Sequence, residues 1–446
     1  MKYFGTDGFR GRANENLCVE HALKIGQFLG WYFGKHSGNK SPKCVIGKDT
    51  RRSSYMFEYA LAAGLTSSGC DAYLMHVTST PSVSYITKTE KFNFGIMITA
   101  SHNPYHDNGI KIIDKDGYKM DEEVLAMAEQ YIDGEISIEA APSEGIGRCQ
   151  DYLMGRNKYI SYLCSIPNHS FRGYRIGLDC ANGCASTLAK TVFDMLGADT
   201  YVCANTPDGF NINKDCGSTH MEKFRKFVTD NELDMGFAFD GDADRCLCVD
   251  ERGNIVDGDG IIYTASNYLK DKGQLVDDTA VVTVMSNLGL FLALKDKGIN
   301  TVTTDVGDKY VSAQIKEHDY SVGGEQSGHI IFNRYACTGD GILTAIMMTQ
   351  ICVDKKTVFS NLTNGLNILP QKLKNMKVEN KDEIMEKKEV LDYIDRINKE
   401  LDGVGRLLLR KSGTEPLIRI MVEHQTLKKC DEYIKDAEDF ISAYVK

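Results

Sequence analysis

Long apolar runs are missing from this 446-residue chain. Nowhere do about 18 apolar residues follow one another, so no membrane-spanning helix is expected. The opening segment, MKYFGTDGFRGRANENL, lacks the apolar core of a secretion signal, and the expected compartment is the cytoplasm. Paired-cysteine motifs are missing too: the 14 cysteines are scattered, and none stands in a C-x-x-C pair. That pattern fits a reducing compartment and speaks against a disulfide framework. Cys246 and Cys248 alternate along an apparent strand, which reads as core packing rather than metal ligation. Positive charge is in deficit. A net charge of -10 argues against a nucleic-acid backbone as main partner, while local basic groups can still hold a phosphorylated small molecule. There is no G-x-x-x-x-G-K-[ST] and no complete G-x-G-x-x-G, which removes those nucleotide cradles. Neither Ser101 nor Ser327 lies in G-x-S-x-G, which weakens a serine-hydrolase reading.

What is present is an internal repeat. KCVIGKD (43–49) runs through a helix-like EYALAAGLTSS to GCDAYLMHV. RIGLDCANG (175–183) runs through STLAKTVFDML to GADTYVC, and TAVVTVMSN (279–287) through LGLFLALKDK to GINTVTT. Each reads strand, turn, helix, glycine stop, strand. Gly69, Gly197 and Gly298 stand where a helix end calls for a left-handed residue. Strands alternating with helices imply parallel βαβ units, and three copies imply three related α/β domains. The C-terminal end differs: a charged helical stretch (381–401), then RLLLR (406–410), LIRIMVE (417–423) and a last helix make a smaller α+β domain. Boundaries are expected near residues 155, 254 and 370.

Four stretches carry candidate chemistry. TASHNP (99–104) sets Ser101 beside His102 after the apolar run Phe94 to Ile98; by itself it reads as a strand end before an Asn-Pro turn, and only the rest of the chain points to a nucleophile. In DGDADR (240–245), an extended backbone would project Asp240, Asp242 and Asp244 to one side. Such carboxylates repel by on the order of 4 kcal/mol per pair at about 4 Å, which a hard cation such as magnesium relieves. A solvated acidic turn is the other reading. An EF-hand loop is not, because Arg245 stands where that loop's sharp turn needs glycine. RKSGTEPLIRI (410–420) offers Arg410, the hydroxyls of Ser412 and Thr414, the exposed backbone of Gly413, and Arg419 as a phosphate cradle, or as ordinary turn chemistry. GGEQSGH (323–329) and GTDGFRG (5–11) are Gly-rich loops, the first with Glu325 and Ser327 alternating toward one possible ligand.

Taken in this order, GTDGFRG, TASHNP, DGDADR, GGEQSGH and RKSGTEP make the chain resemble the α-D-phosphohexomutase superfamily over nearly its whole length. The start MKYFGTDGFRG, VGDKYV (306–311) and Gln326 in the sugar loop are most similar to the phosphoglucosamine mutases. The resemblance implies three similar βαβ-based domains with mixed sheets and a smaller C-terminal α+β domain, around a central cleft. Residues 1–155 would carry the phosphoserine, 156–254 the metal, 255–369 the sugar site and 370–446 the phosphate site.

It implies that Ser101 is a phosphoserine, that one Mg²⁺ per subunit is held by Asp240, Asp242, Asp244 and the Ser101 phosphate, and that glucosamine 1,6-bisphosphate is intermediate and activator. Arg245 and Lys111 would stabilise charge. Arg10, His102, Lys111 and His329 are the candidate acid–base groups, which the sequence does not rank. Glu325 and Ser327, with Thr304, Gly307 and Asp308, would read the sugar; Arg410, Ser412, Gly413, Thr414 and Arg419 would hold the phosphate that is not transferred. The implied activity interconverts glucosamine 6-phosphate and glucosamine 1-phosphate, for UDP-N-acetylglucosamine and cell-wall precursor synthesis. A homodimer, and a kinase or bisphosphate that primes Ser101, are the implied partners; nucleic acid and membrane are not. A hexose phosphomutase is the runner-up. A silent phosphosugar-binding regulator would need neither Ser101 nor the aspartate trio, and a phosphatase would need water to reach the phosphoserine routinely.

Overall fold

The computed structural model describes residues 1–5, 7–38, 41–411 and 416–445. They divide into two compact units, Met1–Met285 with Ile299–Asn364, and Ser286–Gly298 with Gly365–Lys446. In the first unit, short apolar runs between turn residues build three mixed sheets. The first contains β1 (Phe4–Gly5), β2 (Gly8–Arg12), β3 (Lys43–Lys48), β4 (Asp71–Val77), β5 (Phe94–Ile98), β6 (Asp107–Ile113) and β7 (Cys149–Asp151), in the order β1-β2-β6-β5-β3-β4-β7. The second contains β8 (Arg175–Asp179), β9 (Asp199–Cys203), β10 (Met235–Phe239), β11 (Cys246–Asp250) and β12 (Ile255–Val256), in the order β12-β11-β10-β8-β9. The third contains β13 (Thr279–Thr283), β14 (Asn300–Thr304), β15 (Val322–Gly324) and β16 (Ile330–Phe332), in the order β14-β13-β15-β16.

One plan recurs in all three. Two successive strands pair in parallel: β3 with β4, β8 with β9, β13 with β14. The next strand (β5, β10 or β15) pairs in parallel on the other side of the first. The strand after that (β6, β11 or β16) returns antiparallel. Strand order therefore reverses at β3, β8 and β13, and such reversals open a crevice at the carboxyl ends of the parallel strands. The glycine stops are there as well: Gly69, Gly197 and Gly298 have φ of 84°, 92° and 67°. Every residue of β5 (FGIMI) and β10 (MGFAF) is buried, which is why these runs are apolar throughout rather than alternating. Cys246 and Cys248 are free thiols buried on β11, as core packing predicts. The described residues of GTDGFRG, read as a loop, instead include strand residues: Gly5 on β1 and residues 8–11 on β2, which pair antiparallel.

In the second unit, β17 (Gln371–Lys377), β18 (Gly405–Lys411) and β19 (Leu417–His424) form an antiparallel sheet in the order β17-β19-β18. Leu407, Leu409, Ile418, Ile420 and Val422 meet Val390, Ile397, Ile434 and Ile441 from the helices Lys388–Glu400 and Leu427–Ser442. The predicted helix 381–401 is two helices, because Lys387 is extended (ψ 134°) and interrupts it between Met385 and Lys388. Among the described residues no helix is long and apolar enough to cross a membrane.

Candidate active site

The three return loops, β5 to β6, β10 to β11 and β15 to β16, carry TASHNP, DGDADR and GGEQSGH respectively. Ser101 follows β5 by three residues and has a left-handed φ of 51°. Its amide donates to Thr99 Oγ1 at 2.9 Å. Its Oγ donates to Asp240 Oδ2 at 2.6 Å and lies 3.3 Å from His102 Nδ1. Only 1% of Ser101 is exposed, so the hydroxyl is aimed inward rather than at solvent.

DGDADR is not the extended segment expected from its alternation. β10 ends at Phe239, the Ala243 amide donates to the Asp240 carbonyl, and Ala243 takes φ 56°, so the segment turns. The turn still gathers the carboxylates: one oxygen from each of Asp240, Asp242 and Asp244 lies within 4.8 Å of the others, and all three residues are buried. Lys111, on β6, donates to Asp242 Oδ2 at 2.9 Å and Asp244 Oδ2 at 3.4 Å, and pairs with Asp7 at 3.2 Å. Burial pulls the Lys111 pKa down, but Asp242, Asp7 and Asp244 outweigh it and keep the ammonium charged well above the usual range. Asp240 moves the other way: burial, then repulsion from Asp244 and Asp242, raises its pKa well above that of an ordinary carboxyl. For Asp244, burial is outweighed by Lys111, His329 and Arg245, which hold it well below that range. Asp242 Oδ1 and Asp244 Oδ1 are buried with no hydrogen-bond partner among the described residues. An all-oxygen donor set with unpaired lone pairs fits a hard divalent cation.

Around this trio stand the other cations and the two histidines. Arg245 donates its amide to Asp240 Oδ1 at 3.2 Å, and its Nε is 3.9 Å from Asp244. Arg10 pairs with Asp7. Burial, then the positive charges of Arg245 and Arg10, pushes His102 down to about 4, so its ring is neutral near pH 7. His329 Nδ1 lies 3.7 Å from Asp244 Oδ2, and the Gly339 amide donates to its Nε2 at 3.0 Å. In the neutral ring this contact needs the lone pair on Nε2, which leaves the proton on Nδ1 facing Asp244. Burial opposes charging this ring, but Asp244 pulls its pKa up to about 9; a second proton would displace the Gly339 contact.

The sugar-loop candidates gather on the third sheet. Glu325 accepts from the Gly307 amide at 3.1 Å, and Asp308, the next residue, lies 4.0 Å from His329 Nε2. Ser327 Oγ is buried without a partner among the described residues. Thr304 ends β14, where its hydroxyl donates to backbone carbonyls. A cavity of about 300 Å³ is lined by Asp7, Lys111, Asp244, Asp308 and His329 together with apolar groups such as Phe4, Ile112 and Leu125.

In the second unit Arg410 and Arg419 are directly opposite on β18 and β19, so both side chains occupy one face. Like charges in that register repel. Ser412, Gly413 and Thr414 lie outside the described residues.

Comparison with known proteins decides the family. Residues 1–138, 157–253 and 257–367 match the phosphoglucomutase/phosphomannomutase alpha/beta/alpha domains I, II and III, and 373–439 match the C-terminal domain of the same set. The chain belongs to the phosphoglucomutase/phosphomannomutase family. It is 54% identical over 443 residues to the phosphoglucosamine mutase of Lachnospira eligens, covering 99% of this chain and 98% of that one. To the phosphoglucosamine mutase of Bacillus subtilis it is 46% identical over 434 residues, covering 97% and 96%. Among solved structures, a phosphoglucomutase/phosphomannomutase family protein from Burkholderia thailandensis shares the fold with a TM-score of 0.82 at 22% identity, covering 98% of this chain and 96% of that one. An Aspergillus fumigatus N-acetylphosphoglucosamine mutase, solved with GlcNAc-6P and magnesium, gives 0.70 at 17% identity, covering 98% and 95%.

Further residues reach this cluster. Thr80 binds Asp242 twice, through its hydroxyl and through its amide at 3.1 Å. It opens the helix Thr80–Thr89, fixed by the Ser79 side-chain cap and Pro81. Lys119 joins Asp7 (3.2 Å) to Asp308 (2.6 Å). Asp7 lay inside a quoted motif. Nothing in their own neighbourhoods marks Thr80 or Lys119, because their partners are distant in sequence.

Proposed function

We propose that the protein is a phosphoglucosamine mutase, interconverting glucosamine 6-phosphate and glucosamine 1-phosphate with Ser101 as phosphoryl carrier. The observation that carries this reading is the Ser101 hydroxyl, 2.6 Å from Asp240 in a buried carboxylate trio, in a chain 54% identical to a phosphoglucosamine mutase. In the proposed cycle the phosphoserine ester bond breaks as the sugar's free hydroxyl oxygen bonds the phosphorus; that hydroxyl's proton passes to a base, and the released Ser101 Oγ takes up a proton. The product is glucosamine 1,6-bisphosphate. It turns end for end, and Ser101 Oγ takes the other phosphoryl group while the released sugar oxygen regains a proton.

Asp240, Asp242, Asp244 and the Ser101 phosphate are the proposed holders of Mg²⁺, which when bound neutralises charge on the phosphoryl group being transferred. Lys111, Arg245 and Arg10 add fixed positive charge. The buried Arg10 Nε and Arg245 Nε, with no acceptor among the described residues, support that role. The neutral His102 ring beside Ser101 Oγ supports a part in moving the serine's own proton. Glu325 and Ser327, with Thr304, Gly307 and Asp308 nearby, are assigned to the 3- and 4-hydroxyls, which an end-for-end turn approximately exchanges; the unpartnered Ser327 Oγ supports this. Arg410 and Arg419, with Ser412, Gly413 and Thr414, are assigned to the phosphate that is not transferred. The same reading divides the chain at about residues 155, 254 and 369 into phosphoserine, metal, sugar and phosphate domains, with Ser101 primed by a bisphosphate or a kinase.

Assay of glucosamine, glucose and mannose 6-phosphates with magnesium tests the reading. Each hydrogen-bonded substituent is worth about 1–3 kcal/mol, so kcat/KM for glucosamine 6-phosphate should exceed the others by roughly 10- to 100-fold. Equal or higher kcat/KM on glucose 6-phosphate would make the protein a hexose phosphomutase.

A further inference from the structure

Arg51 is wholly buried in the first unit, a rare place for a guanidinium. Its Nε donates to Asp49 Oδ2 at 2.8 Å, and Asp49 also accepts from the Arg51 amide and from Ser54 Oγ. The rest of the fork points at backbone. Nη1 donates to the Pro104 carbonyl, while Nη2 donates to the carbonyls of Ser101 (3.0 Å) and Asn103 (2.8 Å). From a segment near the second sheet, Asn213 Nδ2 donates to the same two carbonyls, at 2.8 Å and 3.1 Å. Two amino groups thus bridge two carbonyl oxygens, using both lone pairs of each. The orientation of the Asn213 amide follows from this, since its oxygen in that place would face two acceptors. Gly241 closes another side: a Cβ there would lie 2.5 Å from the Ser101 carbonyl oxygen.

The segment so held is one that an L-residue resists. Ser101 sits at φ 51°, a left-handed conformation costing about 1–2 kcal/mol without glycine. Released from Arg51 and Asn213, the loop can relax toward negative φ, which swings Oγ away from Asp240. We propose that Arg51 and Asn213 are positioning residues for phosphoryl transfer, gripping the carbonyls of residues 101 and 103 so that Ser101 Oγ stays aimed into the aspartate trio. This rests on Ser101 being the phosphoryl carrier. Neither side chain touches the reacting atoms; both act through the loop backbone.

The test compares Asn213→Ala, Asn213→Asp and Arg51→Lys with wild type and with Ser101→Ala. Arg51→Lys keeps the charge beside Asp49 but cannot fork to three carbonyls. Asn213→Asp keeps the size but removes the donor. In Asn213→Ala, kcat should fall about 10- to 100-fold with KM within about twofold, as expected for misplacement of a reacting group. Its thermal midpoint should stay near wild type, and amide exchange should quicken only in peptides covering 99–106. Asn213→Asp should fall at least as far. Wild-type kcat and wild-type exchange in Asn213→Ala overturn the proposal, whether or not Arg51→Lys folds. So does faster exchange across all the sheets with a matching drop in thermal midpoint, which marks a general structural role. If Ser101→Ala turns over normally, the phosphoserine reading fails, and the exchange data still decide whether this pair holds the loop.

Discussion

Asp242 accepts from Lys111 Nζ at 2.9 Å and from Thr80 Oγ1 through the same oxygen, Oδ2, while its buried Oδ1 has no donor among the described residues. A buried acceptor left unpaired costs about 1–3 kcal/mol, and a cation shared with Asp240 and Asp244 removes that cost. Asp242→Asn keeps the shape but takes away one negative charge and offers an N–H where a lone pair was. Mg²⁺ affinity measured by calorimetry and kcat should therefore fall together, kcat by on the order of 100-fold. Unchanged Mg²⁺ binding would reduce the trio to an acidic turn. The same loop shows what a single residue's sequence context leaves out. Alternating aspartates suggested an extended strand, yet the convergence comes from a turn with Ala243 in the left-handed region. An i, i+2 pattern does not distinguish a strand from a tight turn when both bring the side chains together.

At the scale of elements, the helices Val19–His36 and Arg52–Ser67 pack at a crossing made by two glycines. A Cβ on Gly64 would stand 2.2 Å from the Leu23 carbonyl, and one on Gly26 would stand 2.5 Å from the Leu61 carbonyl. Gly64→Ala gains about 1 kcal/mol of helix propensity but forces rigid backbones apart, so the net expectation is a loss of about 1–3 kcal/mol. Thermal unfolding should show the lowered midpoint, with kcat of the folded fraction unchanged. Elements were the most legible scale. β3, β8 and β13 with their following helices announce themselves through apolar runs and glycine stops, because local periodicity and helix termination are written in neighbouring residues. β17 was not visible: QKLKNMK carries three lysines, and its exposed residues suit an edge strand whose charge discourages further pairing. The split of helix 381–401 was also hidden, since Lys387 is an ordinary helix former.

Across the whole molecule, buried acids set how stability answers to pH. Burial pushes Asp179 and Asp340 each up to about 6, against an unfolded value of about 3.8. A raised carboxyl pKa means the folded state holds a proton that the unfolded chain has released. Stability from each group is therefore full below about pH 4 and declines as pH rises toward 6, by on the order of 2–3 kcal/mol. Asp7 and Asp244, held low by Lys111, act in the opposite sense at more acidic pH. Asp340 caps the helix Gly341–Lys355 by accepting from the Leu343 amide, a task asparagine also performs. Urea unfolding at pH 4 and pH 7 should thus show a smaller loss of stability in Asp340→Asn than in wild type; parallel losses would contradict the shift.

The spread of the candidate-site loops over three sheets carries a consequence for how the protein gains activity. Ser101 meets Asp240 across 139 residues of chain, and Thr80 meets Asp242 across 162. Contacts of such separation repay their loop-closure entropy only after the intervening strands have paired. During refolding, backbone order in each sheet should precede assembly of the carboxylate trio around the serine. Turnover should then be the last property to return, trailing the recovery of far-UV circular dichroism in the same refolding experiment.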